Sequence, residues 1–349
     1  MSNPAQDLAS RLAAFLKRAH NARSVRIVGL RRLTGGAVHQ TWSFDAVVEH
    51  TNGRSETFAL VLRTDSGGGL GLMSREMEYR LLKAAHEEGV PAPGVHALGD
   101  DSLDAPFFLM ERVEGETIAR RLLRDDKYAN ARAVMTGQLG AILATIHRIP
   151  VEKYDLGVLP SPAPGQPPAE TEVGRIQQIY RSITPEPHPA FELAFRWLRQ
   201  NLPPAVDPAL VHGDYRIGNV IFGEEGVRSV IDWEGAHIGD PMEDVGWICV
   251  RSWRFGNDDR PVGGIGSRRE FWWAYEAAGG RAVEPATAQF WEVYGNLRWG
   301  VICMMQARRA MEAARNGPAG SALELLAIGR RTAETEWELL NLMEAGGWS

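Results

Sequence analysis

Three polar residues in the second half of the chain have the types and the spacing that phosphoryl transfer requires. Asp214 and Asn219 stand five residues apart between apolar runs, and Asp232 follows the short apolar stretch Val230-Ile231. Phosphoryl transfer needs a carboxylate that orients the attacking hydroxyl and accepts its proton, together with oxygen ligands for Mg²⁺. Mg²⁺ prefers carboxylate and amide oxygens. The pattern therefore favours an enzyme that moves a phosphoryl group.

The residues around these three positions resemble a known set of motifs. The stretch 212–219 (HGDYRIGN), followed by 232–234 (DWE), is similar to the catalytic and metal-binding loops of the protein-kinase-like fold. The glycine before the aspartate, the DWE triplet and the continuation 239–244 (GDPMED) resemble one branch of that fold. That branch is the aminoglycoside phosphotransferase family, with choline and homoserine kinases nearby.

The resemblance implies a role for each matching residue. Asp214 corresponds to the catalytic base, Asn219 and Asp232 to the Mg²⁺ ligands, and Glu234 to a further substrate contact. Three buried polar residues are expected to support the loop structurally: His212, Asp240 and Asp244.

The same resemblance implies a nucleotide site in the N-terminal third. Gly35 and Gly36 lie where the family has its phosphate-covering hairpin, and Arg63 lies where relatives carry a phosphate-binding lysine. Arginine is always charged and can bind two phosphate oxygens, so it can serve the same role with a different geometry. Its expected partner is Glu78, with Glu76 as the alternative. The segment that would hold adenine contains Met110, Glu111 and Val113. The co-substrate is ATP, with GTP left open.

Hydrophobic periodicity predicts the elements that position these residues. An amphipathic helix is expected near residues 2–20, and residues 25–113 alternate like strands, with a tight turn at Thr51–Gly53 and one helix near 74–88. Beyond residue 115 the pattern is mainly helical, and the Pro- and Gly-rich stretch 158–170 predicts a surface connection. The predicted fold is α+β: a bilobal protein-kinase-like fold with an N-terminal lobe at 1–113, built on a small antiparallel sheet, and a helical C-terminal lobe at 114–349.

Composition excludes several other classes of protein. The chain has 349 residues and a net charge of −6, which argues against a nucleic-acid surface. Its apolar runs are too short for a membrane span, and its N-terminal segment lacks the apolar core of a secretory signal. The two cysteines, Cys249 and Cys303, lie in apolar helix-like sequence and suit a reducing compartment. We therefore expect a cytoplasmic protein; its oligomeric state is left open.

The acceptor of the phosphoryl group is the least determined part of the prediction. Arg251, Trp253 and Arg254 lie in a segment rich in arginine and tryptophan, which suits an anionic or partly apolar small molecule with a hydroxyl group. The runs 253–256 and 261–268 also resemble a family subset found beside acyl-CoA dehydrogenases, which implies a hydroxyacyl-CoA-type metabolite. Alternatives are an antibiotic phosphotransferase acting on aminoglycosides or macrolides, and a non-catalytic, pseudokinase-like ligand-binding protein. The tryptophans have a purely structural alternative, since large aromatic side chains are often buried in a helical core.

Overall fold

The computed structural model describes residues 4–33, 39–65, 73–184, 186–316 and 319–344. The chain divides into two compact units. The N-terminal unit contains Met1–Glu116, Pro150–Leu156 and Arg228–Gly235, and the helical unit contains the remaining segments. The chain thus returns twice to the N-terminal unit, and the second return carries Asp232 and Glu234.

The N-terminal unit is built on a five-stranded antiparallel sheet with the strand order β1-β2-β3-β5-β4. Its elements are α1 (Pro4–Ala19), β1 (Ser24–Arg32), β2 (His39–Glu49), β3 (Ser55–Asp65), α2 (Arg75–Glu87), β4 (Val95–Leu98) and β5 (Phe107–Glu111). The predicted turn at Thr51–Gly53 is confirmed, because the Gly53 amide donates to the His50 carbonyl at 3.0 Å. Gly53 adopts a φ of 82°, which glycine tolerates without strain.

One face of this sheet packs on α1. Phe44 of β2 pairs in register with Leu60 of β3, and both side chains are buried. Phe15 of α1 meets Phe107 of β5 edge to face, with ring centroids 5.1 Å apart. The alternation predicted along β2 and β3 therefore places every second side chain in the core. This packing fixes the register of the two strands, and with it the position of Arg63 on β3.

The helical unit surrounds a long central helix. Its elements are α3 (Ala119–Arg124), α4 (Ala129–Ile146), α5 (Pro168–Ile183), α6 (Pro189–Gln200), β6 (Ala209–Val211), β7 (Val220–Gly223), β9 (His237–Gly239), α7 (Met242–Trp247), α8 (Arg268–Ala277), α9 (Pro285–Asn316), α10 (Ala319–Gly329) and α11 (Thr332–Glu344). Strand β8 (Gly226–Val230) begins in this unit and ends in the N-terminal one. Helices α5, α6, α7, α10 and α11 all contact α9.

Two local features differ from or add to the sequence expectations. Helix α5 begins at Pro168, inside the stretch predicted as a connection, because proline fits the first turn of a helix. Gly246 of α7 lies against the backbone of Trp291 and Glu292 in α9, so close that a Cβ would clash. This contact fixes α7, and with it Trp247, against the central helix. Among the described helices, none is long and apolar enough to span a bilayer.

Candidate active site

Asp214 lies in the loop between β6 and β7 and is held by three hydrogen-bond donors. Its Oδ1 accepts from Trp247 Nε1 at 2.7 Å and from Arg216 Nε at 2.9 Å, and its Oδ2 accepts from Asn219 Nδ2 at 2.6 Å. The side chain remains 26 % exposed. Asp214 is therefore fixed in orientation and still accessible to a substrate.

Asn219 ends a short 3-10 turn, Ile217–Asn219, and is 5 % exposed. Its amide nitrogen donates to both the backbone carbonyl and the carboxylate of Asp214, at 3.0 and 2.6 Å. Because the nitrogen is used in this way, the amide oxygen is the atom that Asn219 has to offer a ligand. An amide oxygen is a suitable donor for Mg²⁺, as is a carboxylate such as that of Asp232.

Asp244 of α7 holds the backbone of the loop that carries Asp214. Its carboxylate accepts the backbone N–H groups of His212 at 2.7 Å and Gly213 at 2.9 Å, and the ring of His147 at 3.2 Å. Burial by itself would raise the pKa of Asp244, but the contacts with His147 and His212 outweigh it and lower the pKa below its ordinary value. Gly213 has a φ of 76°, so this bend in the backbone favours glycine. The carboxylate thus fixes the backbone immediately before Asp214.

Asp240 lies two residues before the start of α7, the helix that carries Asp244. It is 2 % exposed and accepts from the Met242 amide at 2.9 Å and from Trp291 Nε1 at 3.2 Å. Burial raises its pKa. The two bonds connect the beginning of α7 to α9.

A cluster of charged side chains surrounds Arg63 on β3 in the N-terminal unit. Arg63 Nη2 lies 2.7 Å from Glu78 Oε1 and 2.8 Å from Glu234 Oε1. Burial opposes the charge of Arg63, but Glu78, Glu234 and Asp232 outweigh it and raise the pKa of the guanidinium. The structure brings Glu78 rather than Glu76 to Arg63. Glu76 is exposed and pairs with Arg80 at 2.6 Å.

Glu78 is also bound by a second arginine. Arg75, which is 1 % exposed, contacts Glu78 and lies 3.0 Å from Asp65. Burial nevertheless raises the pKa of Glu78, helped by the nearby charges of Glu234 and Asp232. Asp232 has a φ of 67°, a backbone conformation that residues other than glycine rarely adopt. Such conformations concentrate at functional sites.

The remaining predicted nucleotide residues fall at the end of β5 or outside the described residues. Met110 and Glu111 are the last two residues of β5, and the Glu111 amide donates to the Gly94 carbonyl at 2.7 Å. Val113 follows and is half-buried. Gly35 and Gly36 lie outside the described residues.

The arginines predicted on the acceptor side are paired with carboxylates. Arg254 is 5 % exposed and its Nη2 donates to Glu292 at 2.7 Å and to the Cys249 carbonyl at 2.8 Å. Arg251 binds Asp258 at 2.8 Å. Within the described residues, neither arginine makes a hydrogen bond or an ion pair with Asp214. Trp253 is 5 % exposed and lies against Trp247, with ring centroids 5.4 Å apart.

Two residues at the site were absent from the sequence prediction. Arg216 lies two positions after Asp214 inside the recognised motif, and that proximity was a usable signal. Trp247 is separated from Asp214 by 33 residues, and its tryptophan type gives no indication that its indole donates to the carboxylate. Only the packing of α7 brings it there.

The comparisons with known proteins concern the family and the fold of the chain. The model of the APH phosphotransferase enzyme family matches residues 31–281. Among solved structures, a candidate aminoglycoside phosphotransferase of Ralstonia eutropha JMP134 superposes with a TM-score of 0.74 at 23 % identity, covering 97 % of this chain and 99 % of that chain. A spectinomycin phosphotransferase in complex with ADP and spectinomycin gives 0.60 at 14 % identity, covering 97 % and 99 %. These likenesses concern the fold.

The curated relatives are longer proteins, and this chain matches a segment of each. Acyl-CoA dehydrogenase family member 10 of Mus musculus is 32 % identical over 197 residues, which is 55 % of this chain and 18 % of the relative. Family member 11 of Gallus gallus is 29 % identical over 179 residues, 49 % of this chain and 22 % of the relative. The matched region spans about a fifth of these relatives. The family model matches well over half of this chain. The chain therefore belongs to the APH phosphotransferase enzyme family and has the bilobal, kinase-like α+β fold of that family.

Proposed function

We propose that this protein transfers the γ-phosphoryl group of ATP or GTP to a hydroxyl group of a small metabolite of the hydroxyacyl-CoA type. The observation that carries the proposal is the arrangement at Asp214. Its carboxylate is oriented by three donors, its backbone is fixed by Asp244, and it stays accessible. An oriented, accessible carboxylate is what a hydroxyl needs in order to be aligned for attack on phosphorus.

In the proposed reaction the acceptor hydroxyl donates a hydrogen bond to Asp214. Its oxygen forms a bond to the γ-phosphorus, the bond between that phosphorus and the β,γ-bridging oxygen breaks, and the nucleoside diphosphate leaves. The hydroxyl proton passes to the Asp214 carboxylate. Trp247 and Arg216 hold the carboxylate in place while this occurs, since both donate to Oδ1.

The nucleotide is proposed to bind through residues of the N-terminal unit. Arg63 is a partly buried cation held by Glu78 and Glu234, and it is proposed to bind phosphate oxygens. The backbone at Met110, Glu111 and Val113 is proposed to hold the base, and Gly35 and Gly36 to cover the phosphates. Asn219 and Asp232 offer oxygen donors that fit Mg²⁺, which when bound neutralises charge developing on the phosphates.

A metabolite acceptor is favoured over a cationic antibiotic. The curated relatives are acyl-CoA dehydrogenase family members, and the chain matches a segment of them. In addition, Arg216 places a positive charge directly on Asp214. A polycationic aminoglycoside would be repelled there. The antibiotic phosphotransferases among the structural neighbours share the fold at low identity. Phosphorylation of an antibiotic is therefore the alternative that the experiment below has to test.

The decisive experiment measures ADP release with several acceptors. We expect turnover with 4-hydroxybutanoyl-CoA that falls by at least about 10²-fold in Asp214→Asn, because general-base catalysis contributes that much. Magnesium–nucleotide binding, measured by calorimetry, should be unchanged in the variant. The control is Asp207→Asn, an exposed aspartate of the helical unit, which should leave turnover at the wild-type level.

Three outcomes would contradict the proposal. Undiminished turnover in Asp214→Asn would show that Asp214 is not the base. Efficient turnover of kanamycin or a macrolide, without turnover of the acyl-CoA, would identify an antibiotic kinase. Nucleotide binding without transfer to any acceptor would identify a non-catalytic ligand-binding protein.

A further inference from the structure

Three tryptophans of the helical unit form a series that starts at the catalytic carboxylate. Trp247 donates its indole N–H to Asp214, its ring centroid lies 5.4 Å from that of Trp253, and Trp253 lies 4.7 Å from Trp299 of α9. Val250 and Ile302 pack on the same series. The aromatic surface is therefore continuous from the base to the central helix.

The second and third indoles of the series are buried donors without an acceptor. Within the described part of the chain, neither Trp253 Nε1 nor Trp299 Nε1 has a hydrogen-bond partner, although both atoms are inaccessible to solvent. Trp253 as a residue is only 5 % exposed. Buried indole N–H groups usually find a partner, because leaving a polar group unpaired in an apolar environment costs free energy. Two such donors in contacting rings point to a ligand that supplies acceptor atoms.

Two guanidinium groups lie over rings of this series, each paired with a carboxylate. The Arg216 guanidinium lies over the Trp253 ring at 4.8 Å and donates through Nε to Asp214. Arg298 lies over the Trp247 ring at 4.5 Å and is bound to Glu243 at 3.0 Å. Because guanidinium groups already lie over these two rings, a ligand with a quaternary ammonium or amine would meet repulsion rather than a free aromatic surface.

We infer that Trp253, Trp299 and Arg216 form an acceptor subsite that binds a carbonyl or carboxylate oxygen of the substrate. The inference rests on the proposed function, because the bound molecule is the one whose hydroxyl reaches Asp214. Because both indole nitrogens are inaccessible in the unbound structure, the rings turn on binding so that they donate to the substrate oxygen, and Arg216 contributes positive charge beside Asp214. The subsite therefore selects hydroxy acids or their thioesters over amines.

The kinetic test uses phenylalanine in place of each indole, which keeps the aromatic ring and removes the donor. We expect Trp253→Phe and Trp299→Phe each to raise the KM for 4-hydroxybutanoyl-CoA or 4-hydroxybutanoate about fivefold, the loss of one neutral hydrogen bond. The kcat and the KM for ATP should stay unchanged. Trp197→Phe, another half-buried tryptophan of the helical unit, is the control and should leave both KM values at the wild-type level.

A direct measurement follows the indole N–H groups themselves. In protein labelled with ¹⁵N at the indole nitrogen, the resonances missing from Trp253→Phe and Trp299→Phe identify the two donors. We expect these two resonances to move downfield on titration with the acceptor and to stay unmoved with choline or kanamycin. Because Trp299 is only partly buried, its variant keeps the test available if Trp253→Phe fails to fold.

The outcomes separate this inference from the proposed function. Turnover that depends on Asp214 but is indifferent to both indoles, with unmoved indole resonances, would overturn the subsite and leave the kinase activity standing. An effect confined to the free acid or to the thioester supports the subsite and identifies which oxygen it binds. Loss of Asp214 dependence would instead overturn the proposed function.

Discussion

Arg216 lies over the ring of Trp253 and Arg254 follows Trp253 in the chain, yet these two arginines of the helical unit have different chemical surroundings. Arg254 is almost fully buried and is bound to the buried Glu292, which also holds Arg268 at 2.7 Å. Arg216 keeps 27 % of its side chain exposed, and its carboxylate partner Asp214 is also accessible. The first region neutralises its charges internally, whereas the second leaves a carboxylate and a cation available to a substrate.

The difference shows how a structural ion network is distinguished from a reactive site. Glu292 is bound by two guanidinium groups and is 1 % exposed, so its charge is fully used within the protein. Asp214 is bound by one guanidinium and by two neutral donors, Trp247 and Asn219. Neutral donors fix the geometry of a carboxylate without neutralising it, which suits the proton acceptor that we propose Asp214 to be.

The largest effect is expected from breaking the structural network. Glu292→Gln leaves Arg254 and Arg268 without their shared buried counter-charge, so we expect the free energy of unfolding to fall by about 3–5 kcal/mol. Denaturant titration measures the change. The control is Glu312→Gln, an exposed partner of Arg308, which should change stability by less than about 0.5 kcal/mol. A Glu292→Gln protein as stable as wild type would remove the distinction between the two regions.

The stability contributed by a second buried carboxylate, Glu172, should depend on pH. Burial opposes the charge of Glu172, but its bonds to Arg175 and Tyr294 outweigh burial and lower its pKa to about 2. A lowered folded-state pKa gives stability that is complete above the unfolded pKa near 4.5 and is lost as pH falls toward 2. The shift corresponds to about 3 kcal/mol at neutral pH. The stability gap between wild type and Glu172→Gln, measured at pH 6 and at pH 2.5, should therefore shrink on acidification. A constant gap would contradict the assignment.

The local part of both regions was predictable, and the long-range part was not. Asp214, Asn219 and Arg216 lie within one short motif, and the alternation of β2 and β3 places Arg63 on a strand. The partners come from far along the chain: Glu292 is 38 residues from Arg254. Sequence patterns report periodicity and neighbours, but which arginine reaches which carboxylate is decided by helix packing around α9. The choice between Glu76 and Glu78 was open for the same reason, since only one of them can face Arg63.

The reactive region is tested by removing the cation that touches Asp214. Arg216→Met keeps much of the apolar contact with Trp253 but loses the charge and the Nε donor, so we expect kcat/KM for the acceptor to fall about tenfold. Stability should change by less than about 1 kcal/mol, because the side chain is partly exposed. Steady-state kinetics and thermal unfolding measure the two effects, with Arg308→Met, an exposed arginine, as the control. A large loss of stability with unchanged kinetics would place Arg216 with the structural arginines instead.

The smallest effect is expected from Gly218→Ala, which displaces the side chain of Arg216 without replacing that residue. A Cβ at Gly218 would clash with Arg216 Nη1 and lie 3.4 Å from its Cζ. Because the clash involves the end of a flexible side chain, and Gly218 needs no positive φ, Gly218→Ala should cost little stability while displacing the guanidinium from Asp214 and Trp253. We expect kcat/KM to fall about threefold, less than in Arg216→Met, since a displaced cation still contributes at longer range. The double variant Gly218→Ala/Arg216→Met should be no worse than Arg216→Met alone, because the alanine then has no guanidinium to displace. Additive losses would mean that Gly218 acts on the loop backbone, and that the position of Arg216 is not what tunes Asp214.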